Sequence, residues 1–260
     1  MTVGPQLAAE FLPEVRIEPT ARRIRCFIDS VPVADSTDAV LLFEQSHLPV
    51  YYLPFVDVDQ SLLEPSPTTS YCPRKGTASY FHVRIGDRLV EDAVWYYPEP
   101  LDTCPDIATY VAFYWNKVDR WMEEDDEVFK HARDPYHRVD VLHSSRHVQI
   151  VVNGEIVADT VRPRLLFETG LPTRYYIPKL DVRADVLTPT DTSSICPYKG
   201  TASYWTVRVG DVELVDSVWS YARPIPECPK IENLVCFYDE KVDAVIVDGV
   251  KQARPQTPWS

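Results

Sequence analysis

Short stretches in which large apolar and polar residues alternate follow one another along the whole chain, separated by turn-forming pairs. ASYFHVRIGD (78–87) and ASYWTVRVGD (202–211) each alternate up to a Gly-Asp turn, as a strand with one buried face requires. HVQIVV (147–152) and EIVADT (155–160) flank Asn153–Gly154, a pair suited to the two positive φ angles of a type I′ turn, and so predict a hairpin. Asp29–Ser30 is a weaker version of that turn. LLFE (41–44 and 165–168), the Tyr-Tyr pairs at 51–52 and 175–176, VWYY (94–97) with VWSY (218–221), and VAFY (111–114) with VCFY (235–238) read as further strands. A short helical turn is expected at 106–111 and 230–235. EPSPTTSYCPRKG (64–76) and TPTDTSSICPYKG (188–200) are rich in proline and polar residues, which predicts irregular loops. The fold class is therefore mainly β, a small barrel or two-layer sandwich with at most one short helix.

These segments occur twice. Displaced by 124 positions, residues 15–119 match 139–243 without a gap, and about 44 of the 105 pairs are identical. A repeat of that length is a whole domain rather than a solenoid unit. The expected organisation is a first domain at 15–119, a linker arm at 120–138 and a second domain at 139–249. The run Glu123–Glu127 is expected to be solvated. His131, Arg133, Asp134, Tyr136, His137 and Arg138 make the rest of the arm unusual, either a charged surface strap or a segment lending polar groups to a pocket. Residues 250–260 read as a frayed tail.

The chain has 26 basic and 39 acidic residues, a net charge of −13. That balance opposes nucleic acid and anionic membranes as partners and favours solubility. The opening MTVGPQLAAEFLPEV lacks the basic start and apolar run of an export signal, and no apolar run is long enough to span a bilayer. A cytoplasmic location with reduced thiols is the expectation. Six cysteines contain no CxxC pair and no zinc-finger spacing, so neither a metal nor another cofactor is expected.

The elements ADS/ADT, LLFE, YYxPxxDV, CPxKGTASY, VRxGD, VWxY and FYxxKVD, present in both halves, resemble the bacterial domain-of-unknown-function 427 family, also labelled nucleotidyltransferase-like. The resemblance covers both copies almost completely. It implies a small, mostly β fold and a bacterial source, but carries no settled activity. Nucleotidyl transfer would need closely spaced carboxylates to hold Mg²⁺. Asp57 and Asp59 form such a pair in the first copy, yet Arg183 replaces the second carboxylate in the other, and there is no phosphate-binding glycine loop.

Several repeated residues are candidates for chemistry. In CPRKG (72–76) and CPYKG (196–200), a turn that converged backbone amides beside Lys75 or Lys199 would suit an anion. A nearby ammonium also favours the thiolate, the nucleophilic form, of Cys72 or Cys196. The plain alternative is a packed cysteine and an ordinary turn. Glu44 and Glu168 end apolar runs, where a carboxylate is desolvated enough for acid–base work, although an ion pair explains them equally. Cys104 and Cys228 also repeat, as a disulfide partner or, the favoured reading, as buried thiols. Arg22/Arg146, Asp57/Asp181, Arg84/Arg208, Asp92/Asp216 and Lys117/Lys241 are further charges kept in both copies, best explained as structural pairs. No histidine repeats, which argues against a His-centred triad in each domain.

Three functional readings follow. In the first, each domain binds a small polar or anionic molecule in a pocket drawn from Tyr51, Trp95, Tyr97, Lys75 and Arg84 or from Tyr175, Trp219, Tyr221, Lys199 and Arg208. In the second, Cys72 or Cys196 is a nucleophile or redox centre with Glu44 or Glu168 nearby. In the third, the copies form a structural pseudo-dimer through intramolecular domain–domain packing. The second copy, with Asn153–Gly154 and CPYKG, is expected to hold the better-preserved site.

Overall fold

Alternation along the strands builds two open antiparallel sheets in each half of the chain. The computed structural model describes residues 14–257, which divide into two compact units between Asp134 and Pro135. The expectations for the opening segment fall mostly on residues 1–13, outside the described residues.

In the first unit the strands are β1 (Val15–Pro19), β2 (Ile24–Ile28), β3 (Val31–Ser36), β4 (Val40–Glu44), β5 (Val50–Pro54), β6 (Leu63–Cys72), β7 (Gly76–Ile85), β8 (Arg88–Tyr96), β9 (Tyr110–Phe113), β10 (Arg120–Glu123) and β11 (Asp126–Val128). Seven of them form a sheet in the order β1-β4-β5-β9-β8-β7-β6, and four form a smaller sheet, β11-β10-β2-β3. The second unit repeats this with β12 (Val139–His143), β13 (Val148–Val152), β14 (Glu155–Thr160), β15 (Arg164–Glu168), β16 (Arg174–Pro178), β17 (Leu187–Cys196), β18 (Gly200–Val209), β19 (Val212–Ser220), β20 (Leu234–Phe237), β21 (Ala244–Val247) and β22 (Val250–Lys251). Its sheets run β12-β15-β16-β20-β19-β18-β17 and β14-β13-β21-β22. Neither large sheet closes on itself, so of the two architectures expected the sandwich is the one formed. The helical elements among the described residues are single 3₁₀ turns, one of them Pro229–Ile231, overlapping the start of the predicted 230–235 region. No such turn forms at 106–111, where β9 begins.

The large sheet of the first unit is buried on both faces, which explains runs such as LLFE. Leu41, Phe43, Tyr51, Leu53, Val94 and Phe113 point toward the small sheet and pack with Ile24, Cys26, Ile28, Val33 and Trp121. Val40, Leu42, Tyr52, Ala78, Tyr80 and Ala112 point to the opposite face, where Tyr97, Cys104 and Ile107 of the β8–β9 connection cover part of the sheet. A strand whose successive side chains alternate between two such faces must be apolar throughout.

Both predicted hairpin turns form. Asn153 and Gly154 have φ of 50° and 74°, and Asp29 and Ser30 have 48° and 64°, as type I′ turns demand. Three expectations are corrected. The Pro/Ser/Thr-rich segments are strands β6 and β17 rather than loops. Each lies at the sheet edge, where a missing proline N–H costs nothing on the solvent side, and the register breaks between Pro65 and Thr69 to let the intervening residues stand out. The linker is shorter than expected, because 120–128 supply β10 and β11. Trp121 is 2% exposed, and Glu123, far from solvated, is 3% exposed and accepts hydrogen bonds from Tyr51, Arg22 and Arg133. The tail is not frayed as far as residue 257. β22 pairs with β21, Arg254 donates to the Val242 carbonyl at 2.6 Å and Thr257 to Glu240 at 2.6 Å.

Candidate functional site

The face of the first unit's large sheet turned away from the small sheet opens into a cavity of about 430 Å³. Its walls are built by β4, β5, β6, β7 and β8: Leu42 and Glu44, Val50 and Tyr52, Ser70, Tyr80 and Trp95, with Lys75, Tyr97 and Tyr114 from the turns that follow. His47 and Leu48 border it. Alternation places them there. Val50 and Tyr52 are two apart on β5, Trp95 and Tyr97 two apart along β8 and just beyond it, so each pair shares a face.

Inside the cavity the aromatic rings hold one another. The Trp95 indole N–H donates to the Tyr52 hydroxyl at 3.1 Å, with the rings edge-on at 88°. Trp95 and Tyr114 lie 4.5 Å apart, and the Ser70 and Tyr80 hydroxyls are 2.6 Å apart. Burial, with Tyr80 beside it, pushes the Tyr114 phenol up to about 12, and burial pushes Tyr52 and Tyr97 up as well. The walls therefore present neutral rings and hydroxyls at physiological pH.

The charge in the cavity is a pair. Lys75 Nζ donates to Glu44, and Arg74 Nη1 donates to the same carboxylate at 3.1 Å. Burial works to raise the Glu44 carboxyl, but the bonds from Lys75 and Arg74 outweigh it and hold it below the usual range. An ionised, doubly paired carboxylate is a weak general base, and these contacts favour the ion-pair alternative for Glu44. Glu168 is engaged likewise: Lys199 reaches both its oxygens at 2.6 Å, and His137 Nε2 lies 3.0 Å from Oε1.

The CPxKG elements are turns rather than anion nests. The Lys75 amide donates back to the Cys72 carbonyl at 3.2 Å, and the Lys75 carbonyl accepts from Leu101 at 3.1 Å. Lys199 repeats this with Cys196 at 3.3 Å and Ile225 at 3.1 Å. What the motif does is carry its lysine inward to the glutamate at the end of LLFE.

The predicted site residues thus divide. Glu44, Lys75, Trp95 and Tyr97 converge on the cavity. Tyr51 and Tyr175 point to the other face, toward the small sheet, and Tyr52 and Tyr176 take the places expected of them. Two adjacent strand residues must face opposite ways, and nothing local tells which face will open. Arg84 and Arg208 are exposed and pair with different partners, Glu64 in one copy and Glu213 at 2.5 Å in the other. Cys72 and Cys196 are partly buried, Cys72 packed beside the cavity rather than lining it, and neither thiol makes a side-chain hydrogen bond among the described residues. All six cysteines are free; burial raises the thiol of Cys104 and pushes Cys228 up to about 11. Among the described residues no group of three or more His, Cys, Asp or Glu could hold a metal ion. Asp57 accepts from Ser36 at 2.6 Å and Asp59 from Ser61, so each carboxylate is bound to its own neighbourhood.

The second unit keeps the same frame with a different filling. Trp219 donates to Tyr176 at 3.1 Å with rings at 89°, and Trp219 and Tyr238 are 4.5 Å apart. Where the first unit has Val50, it has Arg174, buried, with its guanidinium 5.7 Å from the Trp219 ring and 5.9 Å from Tyr238. Glu240 receives both terminal nitrogens at 2.9 and 2.6 Å. The arm reaches this unit too: His137 stacks on Tyr198 at 4.2 Å while contacting Glu168. The second site, expected to be the better preserved, keeps the aromatic frame and the glutamate–lysine pair, while the cavity described lies in the first unit. A smaller hollow of about 230 Å³ beside β12, lined by Val139–Leu142 and 227–230, contains neither the aromatic set nor the glutamate–lysine pair.

No curated protein matches the chain. The family model described as a domain of unknown function, DUF427, matches residues 16–124 and again 140–248. Those two spans take in the strands of both units except β11 and β22, together with each copy of the glutamate–lysine pair, and the chain belongs to the DUF427 family, as two tandem copies.

Proposed function

We infer that the first unit is a binding module for a small polar molecule, held in the cavity between Trp95, Tyr52, Tyr80, Tyr97, Tyr114 and the Glu44–Lys75 pair. The observation that carries this is the coincidence, on the one sheet face the small sheet leaves free, of a cavity of about 430 Å³ with an aromatic wall and a buried ion pair. Small-molecule sites have this form, a mostly apolar hollow with a few placed polar groups. A cysteine-dependent reaction has less support, because the thiols lie outside the lining and the nearby carboxylate is committed to Lys75 and Arg74.

Leu48 is 57% exposed at the cavity rim, so Leu48→Trp narrows the mouth without touching the core. A panel of polar metabolites screened by thermal shift should contain compounds that raise the melting temperature of the native protein and not of Leu48→Trp. If every stabilising compound acts equally on both proteins, the cavity is not the site.

A further inference from the structure

The second unit contains a clue to what the first unit's cavity accepts. The two aromatic frames are alike: Tyr52–Trp95 and Tyr176–Trp219 centroids are 6.4 and 6.3 Å apart at 88° and 89°, and Trp95–Tyr114 and Trp219–Tyr238 are both 4.5 Å apart at 45° and 48°. In the second unit a cation from the chain's own strand β16, Arg174, lies against the two rings whose counterparts line the cavity. At the equivalent place on β5 the first unit has only Val50, and there the cavity opens. One copy carries its occupant covalently; the other exposes the same ring faces to solvent.

We propose that the first unit binds an organic cation, a methylated ammonium group seated on Trp95 and Tyr114 where the second unit seats the Arg174 guanidinium. This rests on the binding reading above and narrows it. Ring faces attract cations through their quadrupole, and desolvated aromatic walls are how quaternary ammonium groups are recognised. The choice of a methylated ammonium over a guanidinium follows from what differs. Arg174 needs acceptors for its N–H groups and finds them on Glu240, with Asp239 3.7 Å away. The equivalent positions in the first unit are Asn116 and Trp115, so the carboxylates that satisfy a guanidinium are missing. A quaternary ammonium has no N–H to satisfy. Lys117, 5.0 Å from the Tyr114 ring, does not bar a second cation, because Lys241 sits 4.9 Å from Tyr238 while Arg174 occupies the same ring. Any carboxylate on the ligand would turn toward Lys75, the ammonium in the cavity lining, since Arg74 is shared between Glu44 and Glu14.

The test is titration calorimetry and tryptophan fluorescence on the full chain with choline, glycine betaine and 3,3-dimethylbutanol, the neutral carbon isostere of choline. Choline or betaine should bind saturably at one site, about tenfold or more tighter than dimethylbutanol. Val50→Arg, which puts a long cationic side chain at the cavity wall where the second unit has Arg174, should abolish that binding. Its retained fold is checked by circular dichroism, and Leu48→Trp gives a second blocked variant should Val50→Arg fail to fold. Equal affinity for dimethylbutanol, or choline binding untouched in both blocked variants, overturns the proposal. Failure of choline and betaine alongside a metabolite whose stabilisation Leu48→Trp removes would sink the cation and leave the binding module standing. If nothing at all binds in a Leu48-dependent way, both fall together.

Discussion

Gly76 and Gly200 follow the lysine of each CPxKG element with φ of 103° and 101°, a region L side chains avoid. A Cβ at Gly76 would stand 3.2 Å from the Glu99 carbonyl oxygen, and one at Gly200 3.3 Å from the Arg223 carbonyl oxygen and the Ile225 nitrogen. Backbone atoms cannot step aside as a flexible side chain can. Gly76→Ala should therefore cost about 1–3 kcal/mol in urea denaturation and loosen the Lys75–Glu44 pair, whereas Gly86→Ala, which meets nothing within 4 Å, should cost less. Asp239 is a second residue with a measurable signature. Burial pushes its carboxyl from 3.8 up to about 7, against the pull of Arg174. The folded chain then holds the proton more tightly than the unfolded one, so Asp239 favours folding at low pH, and that contribution is lost as the pH rises from about 4 to 7. Compared with Asp239→Asn, the native protein should lose up to about 4 kcal/mol across that window in pH-resolved melts. A difference that does not change with pH would show that Asp239 titrates normally. The repeat alone marks Glu44, Lys75, Trp95 and Tyr97 as worth attention. It does not reveal that Glu44 and Lys75, 31 residues apart, neutralise each other.

Several repeated charges are explained by strand geometry. Asp92 and Asp216 have φ of 48° and 47°, where the β7–β8 and β18–β19 registers shift between Phe81 and Val83 and between Trp205 and Val207. Each carboxylate reaches across the intervening strand to clasp two hydroxyls on the edge strand, Ser66 and Thr68 at 2.5 and 3.0 Å, and Thr190 and Thr192 both at 2.7 Å. Lys117 and Lys241 bond the carbonyls of the same bulge. These charges staple β6 and β17, which their prolines would otherwise weaken, and that is why the segments read as loops fold as strands. Asp216→Gly keeps the backbone angle accessible but removes the clasp, and should increase hydrogen exchange along β17 more than along β13. Equal exchange in both strands would mean that the clasp holds nothing. Sequence periodicity could not show this, because a local pattern is silent about which strand lies beside another.

For the molecule as a whole, the domain count was legible and one boundary was not. A fragment of residues 1–134 contains the first unit's core and should melt cooperatively, whereas 1–119 lacks Trp121, Glu123 and Val128, which are 2%, 3% and 5% exposed in the small sheet. Near-ultraviolet dichroism separates the two outcomes; a folded 1–119 would show that β10 is dispensable. The boundary was missed because RWMEEDDEV and AVIVDGVKQ (120–128 and 244–252) share almost no identities, although both pair with the strand that opens the small sheet. Backbone hydrogen bonds do not depend on side-chain identity, so a strand can persist after its sequence has drifted.

Strand alternation, the type I′ turns and the doubling of the domain were all readable from residue order, because each depends on neighbours a few positions apart or on direct comparison of the two halves. Which of Tyr51 and Tyr52 faces the cavity, which partner holds each lysine, and why Val50 leaves open what Arg174 fills were decided only by folding. Those outcomes depend on which distant strands come together and on which sheet face a second layer covers.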